Sequence, residues 1–401
     1  MKPYRLCILG NNSGRNAGDA AILSSIVHNF LARNPGVTFE VPTIRPAYIR
    51  GAFAGLPVRP VSILPWTLSL RILGPSTMLS ILRSDAVLIT DAIIFDYRLL
   101  NPVFNYLILL AGVIPFAKLC GKKVLCFCVG IGPLDRPLGR RITRMICNLS
   151  DAIMVREESS RELLQKIGVL PERLREIWAD VAFINPPAPP ERGREILAAH
   201  GVGPEERLLG VNVNAYLDRW LGSESTLDRE GFIAAFARAL DATIDRCGAR
   251  VVMVITQVMD LGIAEEIRAR MAHRDRVPVI SNRDLSNQEI MSVLAHMSLF
   301  AGMRLHSLIL AAAMQVPVVP LAYAPKVRHF ARMLGLNDTV FEFAGFTGER
   351  FTDALATAWE RRDATRARML PEVEAAKSRA RAAFDAVVDR FIAPGGGPAG
   401  K

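Results

Sequence analysis

Short apolar runs alternate with helical patterns along nearly the whole chain, and this alternation constrains the fold more than any other feature. Leu6–Leu9 precedes an Ala/Ile/Leu helix near 20–33, and Val87–Thr90 precedes a helix near 103–119. Lys123–Val129 precedes a helix near 138–150, and Ala152–Val155 one near 159–167. Such alternation predicts parallel sheets with helices on both faces. The segment Asn185-Pro186-Pro187-Ala188-Pro189-Pro190 breaks it, because four prolines in six residues continue neither a helix nor a central strand. The alternation resumes with a strand at 207–214, a helix near 231–246, strands at 250–256 and 278–280, and an apolar, strand-like segment from Val293 to Phe300.

The expected architecture is therefore α/β: two Rossmann-like domains in a GT-B-like arrangement with an active cleft between them. The first domain covers 1–185, a linker 186–206, and the second domain 207–345. The Ala/Arg/Glu-rich stretch 346–392 should be helical. The Pro/Gly-rich end, 393–401, reads as a disordered tail.

Composition narrows the partners. Half of the 401 residues are hydrophobic and 22% are charged, which suits a globular chain with two full cores. The net charge of +10 favours phosphate esters, lipid headgroups or nucleic acid. Neither a zinc-finger spacing nor an aromatic RNA-binding signature is present, so no nucleic-acid partner is expected. Six cysteines lie mostly in apolar segments without a disulfide framework, and no second Cys/His cluster supports a metal. Cys126 and Cys128, one residue apart in a strand, should face the same side. The apolar part of the N-terminus, Leu6–Leu9, is too brief for a signal peptide. The uncharged stretch 99–117 is interrupted by Asn101, Pro102, Asn105 and Pro115, so it reads as a buried or membrane-contacting helix rather than a span. With the apolar stretch 60–82, it suggests a cytoplasmic protein peripheral on the inner face of the plasma membrane. The absence of a serine elbow, a Walker loop and H-E-x-x-H removes the commonest hydrolase and nucleotidase readings.

The chemistry-bearing residues sit in loops after strands, where ligands bind in α/β sheets. Ala301-Gly302-Met303-Arg304-Leu305-His306 leads into an uncharged helix and then Val316-Pro317-Val318-Val319-Pro320. Arg304 can grip a phosphate or carboxylate, or form a salt bridge at the helix start. His306 can move a proton near neutral pH, or cap the helix. Lys326, in the loop after the next strand, is a third cation or a solvated one. Arg156, after a strand of the first half, either reaches a phosphate or pairs with Glu157 or Glu158. In the loop Gly10–Asp19, backbone amides at a helix start suit an anion. Asp19 either caps that helix or takes a proton from a hydroxyl.

These motifs resemble the polysaccharide pyruvyl transferase family. The resemblance is carried in order by Asn16-Ala17-Gly18-Asp19, Gly130-Ile131-Gly132-Pro133-Leu134, Val155-Arg156-Glu157-Glu158-Ser159-Ser160, Trp178-Ala179-Asp180-Val181-Ala182-Phe183 and the block from Gly302 to His306, with Tyr323-Ala324-Pro325-Lys326-Val327 after it. It spans roughly 5–340. It implies a cell-envelope enzyme moving pyruvyl from phosphoenolpyruvate to a sugar of a polysaccharide or lipid-linked glycan, forming a ketal. No cofactor is implied beyond that donor substrate. His306 and Asp19 are the implied catalytic residues, with Arg304, Lys326 and Arg156 on the donor and Asn16 and Asp91 on the acceptor. One departure stands out: where the family carries a run of glycines, this chain reads Asp91-Ala92-Ile93-Ile94-Phe95-Asp96-Tyr97. Two alternatives stay open, the first because a basic cleft would serve a diphosphate equally well, the second on account of that loop. One is a GT-B glycosyltransferase using a nucleotide sugar; the other is a silent member that binds a glycan or a membrane assembly partner.

Overall fold

A computed structural model describes residues 3–63, 74–101, 105–174, 176–215 and 228–392. They fall into two compact units. The first comprises the residues through Gly14, Asp19–Asn185 and those from Ala376 onward; the second comprises Arg15–Gly18 and Pro186–Ala375.

The first unit carries strands β1 (Tyr4–Leu9), β2 (Val37–Thr43), β3 (Val58–Ser62), β4 (Ala86–Ile89), β5 (Lys123–Val129) and β6 (Ala152–Val155). Around them lie α1 (Ala17–Arg33), which starts at the second unit's Ala17, and α2 (Pro46–Ala52), α3 (Pro75–Arg83), α4 (Leu107–Leu119), α5 (Pro137–Leu149) and α6 (Glu158–Lys166). The sheet order is β3-β2-β1-β4-β5-β6, with every pairing parallel. Strands covered by helices on both faces read as continuous apolar runs, and β4 and the Leu6–Leu9 part of β1 do so.

The second unit repeats this plan. It contains α7 (Pro190–Ala199), β7 (Leu208–Asn212), α8 (Arg229–Cys247), β8 (Arg250–Ile255), α9 (Leu261–Arg270), β9 (Val279–Ser281) and α10 (Asn287–Leu294). Then come β10 (Leu299–Gly302), α11 (Leu305–Ala313), β11 (Val318–Ala322), α12 (Pro325–Met333), β12 (Phe341–Glu342), α13 (Gly348–Glu360) and α14 (Arg362–Val387), which continues into the first unit. The order is β12-β11-β10-β7-β8-β9, again all parallel. Both units are thus doubly wound Rossmann-like domains. In each, the chain leaves its first strand in one direction and returns to that strand's other side, creating a switch point between β1 and β4 and another between β7 and β10.

Several expectations change. The proline-rich 186–206 stretch is part of the second unit: Pro190 opens α7, where its missing N–H costs nothing, and α7 lies against α10. Gly193 makes that contact, since a Cβ there would stand 2.3 Å from the Ser292 carbonyl oxygen. The strand expected at 293–300 is shorter. Val293 and Leu294 close α10, which a reciprocal Ser286–Glu289 capping box starts, and the strand begins at Leu299. Cys126 and Cys128 do not alternate simply, because the β5–β6 register shifts between Cys126 and Val129 and Cys128 takes φ 49°. All six cysteines are free thiols.

The apolar 99–117 stretch supplies α4, whose Leu107, Leu110, Val113 and Ile114 are fully buried in the first unit's core. Among the described residues, no helix is long and apolar enough to cross a membrane. Residues 64–73 of the 60–82 stretch, and the tail 393–401, lie outside the described residues. The helical stretch after 346 serves both units: Phe351 packs on Phe236 in the second, and Phe384 packs edge-on against Phe30 and Phe127 in the first.

Candidate functional site

At the first switch point, Leu9 is followed by Gly10 and Asn11, and Ile89 by Thr90 and Asp91. The two turns approach closely: a Cβ on Gly10 would lie 2.4 Å from Thr90 Oγ1 and 2.5 Å from Asp91 Oδ2. Asn11 then joins two carboxylates. Its backbone N–H donates to Asp91 Oδ2 at 2.7 Å and its Nδ2 donates to Asp19 Oδ2 at 2.6 Å. Asp91 is buried and holds φ 64°, a left-handed conformation natural to glycine and tolerated by aspartate. The backbone shape associated with a glycine is therefore present at this position, with a carboxyl group added. Burial pushes that carboxyl well above the usual carboxylate range, and the charges of Asp19 and Asp180 push it further; the Asn11 N–H and Arg156 oppose them. The protonated acid is favoured there.

Arg156 is the nearby cation. Its Nη1 donates to Asp180 Oδ2 at 2.6 Å, and both side chains are 6% exposed, so the pair is buried. Burial works against the guanidinium charge, but Asp180, Glu157, Asp91 and Asp19 outweigh it and raise its pKa. The guanidinium lies over Gly130, where a Cβ would meet Nη2 at 2.8 Å, and the Gly130 N–H donates to the Asp91 carbonyl at 3.2 Å. This explains the glycine in Gly130-Ile131-Gly132. The rest of the 91–97 loop is anchored by Asp96, which accepts from the backbone N–H groups of Asp135 and Arg136 just before α5.

At the second switch point, Asn212 ends β7 and Gly302 ends β10, directly paired. Asn212 is fully buried; its Nδ2 donates to the Val254 carbonyl and its Oδ1 accepts from the Arg304 N–H at 3.1 Å. The Arg304 side chain donates twice to Asp260, from Nε at 2.8 Å and from Nη2 at 2.6 Å. Asp260 is fully buried and also accepts from the Ala215 N–H. Arg304 is thus an oriented cation at the start of α11, with no side-chain capping bond from it to that helix. His306 is the second residue of α11 and is half-buried.

The segment Arg15–Gly18 completes this group. Ala17 N–H donates to the Thr256 carbonyl, Val258 N–H donates to the Arg15 carbonyl, and Asn16 bridges to Gln257. Asn16 Oδ1 accepts from the Gly18 N–H at 2.8 Å, a local turn at the start of α1. Gly18 lies directly against His306: a Cβ there would be 2.2 Å from His306 Cγ. Lys326, expected in a loop, is instead the second residue of α12, exposed in that helix's first turn after β11, and its Nζ lies 5.9 Å from the centre of the Tyr323 ring.

The seven residues singled out from sequence therefore fall into two groups. Asp19, Asp91 and Arg156 share the first unit's polar cluster. Arg304, His306 and the Asn16–Gly18 turn share the second, with Lys326 in the first turn of α12. Sequence reasoning missed Asn11, Asn212 and Asp260, and gave Asp180 no role. Asp180 and Asn212 had a signal, a polar residue beside a strand-end motif; Asp260 had none. Among the described residues, no group of three or more His, Cys, Asp or Glu side chains is placed to hold a metal ion.

The sequence profile of the polysaccharide pyruvyl transferase family matches residues 16–325. No curated protein matches the chain by sequence. Solved structures resemble its fold. A putative UDP-N-acetylglucosamine 2-epimerase from Listeria monocytogenes superposes with a TM-score of 0.65 at 13% identity, covering 98% of this chain and 97% of its own. The UDP-GlcNAc 2-epimerase from Neisseria meningitidis bound to UDP-GlcNAc gives 0.60 at 11%, covering 96% and 100%. Anabaena Alr3699/HepE in complex with UDP gives 0.59 at 12%, covering 97% and 99%.

Proposed function

The chain belongs to the polysaccharide pyruvyl transferase family, and we propose that it moves pyruvyl from phosphoenolpyruvate to two hydroxyls of a glycan sugar, forming a cyclic ketal. The observation that carries this reading is the placement of Arg304 and His306 together at the start of α11, beside the switch point between β7 and β10. A helix N-terminus and an oriented guanidinium favour an anionic donor. A histidine two residues on suits a proton transfer to it.

The steps balance. His306, as imidazolium, protonates the donor's methylene carbon, and the resulting cationic carbon is attacked by the first sugar hydroxyl, which gives up its proton. The carbon–oxygen bond to phosphate then breaks. The second hydroxyl attacks the same carbon and loses its proton, closing the ring. One proton gained by the methyl group and one by the departing phosphate match the two lost by the hydroxyls. Arg304 and Lys326 offset the donor's charge, which is the kind of contribution that dominates many active sites. In the first unit, Asp19 is the base for a hydroxyl, while Asp91 serves the acceptor and Arg156 the phosphate; Asn16, of the second unit, is assigned to the acceptor.

The test is incubation with phosphoenolpyruvate and a panel of lipid-linked and nucleoside-diphosphate-linked sugars, read by mass spectrometry for pyruvyl addition. The nucleotide-linked arm is included because solved proteins of similar fold are seen with UDP-GlcNAc or UDP. His306→Asn should lower turnover by about 10²–10⁴-fold with donor binding retained. Near-normal turnover would move the proton to another residue. Turnover of a nucleotide sugar without phosphate release from phosphoenolpyruvate would replace this reading with glycosyl transfer.

A further inference from the structure

The first unit carries a surface unconnected with its switch point. Helix α5 buries Ile142, Thr143, Ile146 and Cys147 on one side and exposes Arg140, Arg141 and Arg144 on the other. Beside it, Lys166 at the end of α6 faces the same groove, which encloses about 720 Å³. The floor is apolar, with Met145, Leu149, Leu163 and Ile167 lining it. Among the described residues, Arg141, Arg144 and Lys166 have no hydrogen-bonding or ionic partner, whereas Arg140 donates to the Leu134 carbonyl. The nearest acidic side chains on α6 differ in state: Glu158 is paired with Arg161, and Glu162 stands one turn before Lys166. Two leucines project at the rim. Leu138, one turn before Arg141, is 47% exposed, and Leu170, following the Gly168 that adjoins Arg144, is 55% exposed.

We infer that this face docks on an anionic bilayer surface. Unpaired cations over an apolar floor, with leucines standing out beside them, match the two attractions of a membrane interface: charge to acidic headgroups and apolar burial at the acyl boundary. An acidic protein would satisfy the cations but not the projecting leucines. The surface differs from the one suggested by the apolar stretch 99–117, whose described helix is core. It stands independently of the chemistry proposed above, so failure of one leaves the other intact.

Full-length protein is sedimented with vesicles of phosphatidylcholine alone and of phosphatidylcholine mixed with phosphatidylglycerol. Binding is expected only to the mixed vesicles, weakening as salt is added. Each cation near such a surface contributes about fivefold in partitioning. R141E/R144E/K166E should therefore bind at least about a hundredfold more weakly, and L138S/L170S should weaken binding without flattening its salt dependence. The charge substitutions touch exposed side chains, so thermal unfolding should be unchanged; if the glutamate variant does not fold, R141Q/R144Q/K166Q decides with the same expected direction. Failure of the wild type to sediment with mixed vesicles, undiminished binding by a folded charge variant, or capture by polyglutamate but not by vesicles would each overturn the inference.

Discussion

Gly18→Ala is the sharpest probe of the second polar group. Gly18 is the second residue of α1, and an alanine in place of a helical glycine ordinarily stabilises by about 1 kcal/mol. Here the added methyl would sit 2.2 Å from His306 Cγ, 2.3 Å from its Cβ and 2.4 Å from Nδ1. These atoms form the root of the ring, so they cannot swing aside without moving the side chain as a whole. Relief needs a displacement on the order of 1 Å, given ordinary carbon contacts of about 3.5 Å and some sharing of the shift. Overpacking of this kind costs about 1–3 kcal/mol, enough to cancel the helical gain and leave a net loss of up to about 2 kcal/mol. A misplacement of about 1 Å at a reacting group costs about a hundredfold in rate. Urea unfolding and phosphate release from phosphoenolpyruvate measure the two effects separately. If the variant is stabilised by about 1 kcal/mol, the Gly18–His306 contact is wrong. If it is destabilised yet turns over normally, the contact stands and the catalytic role of His306 falls.

Three further perturbations address the first unit. Asp180→Asn removes the charge that balances buried Arg156, and should cost about 3–5 kcal/mol in urea unfolding; the exposed Glu158–Arg161 pair should yield under about 1 kcal/mol when broken by Arg161→Gln. Asp91→Asn retains an acceptor for the Asn11 N–H and tolerates the left-handed backbone, but cannot ionise. Because burial and Asp19 raise the folded-state pKa of Asp91, the folded protein binds more protons than the unfolded chain once pH exceeds the unfolded aspartate value of about 3.9. Wild-type stability therefore falls as pH rises from there through the raised folded-state pKa, by up to about 1.4 kcal/mol per pH unit from this group. The Asn variant should lack that decline, gaining on the wild type with rising pH; parallel stability–pH curves would refute the raised pKa.

The sheets were legible because helix-covered parallel strands impose long apolar runs, a signal that survives in a single sequence. What misled was local. Prolines at 186–190 read as a linker because proline stops a helix, yet proline at a first helical position starts one, and the packing of α7 on α10 decides which rule applies. Val293 and Leu294 read as strand because short apolar runs do not declare their period; the Ser286–Glu289 box upstream carried the missing information. Helix α4, uncharged up to Lys118 in its last turn, resembled a membrane segment for the same reason that it is core: both environments reject charge.

The site was legible in its cations and imidazole but not in the acids that hold them. Arg156 and Arg304 each stand beside a switch point, and each is bound by an aspartate from elsewhere in its own unit, Asp180 and Asp260. Such a partner arises from tertiary packing, 24 residues away in one case and 44 in the other, so no local pattern announces it. A buried ion pair is weak evidence for stability, since taking both charges out of water offsets much of their attraction. Its plain effect here is geometric: two bonds donated to Asp260 fix the plane of the Arg304 guanidinium, and Asn212 fixes the backbone beneath it. It follows that truncating Arg304 would not test the donor's charge alone, because fully buried Asp260 would be left without its cation and the fold would suffer with the site. Gly18, packed against the ring of His306, supplies a way to move that imidazole without removing it or disturbing the Arg304–Asp260 pair.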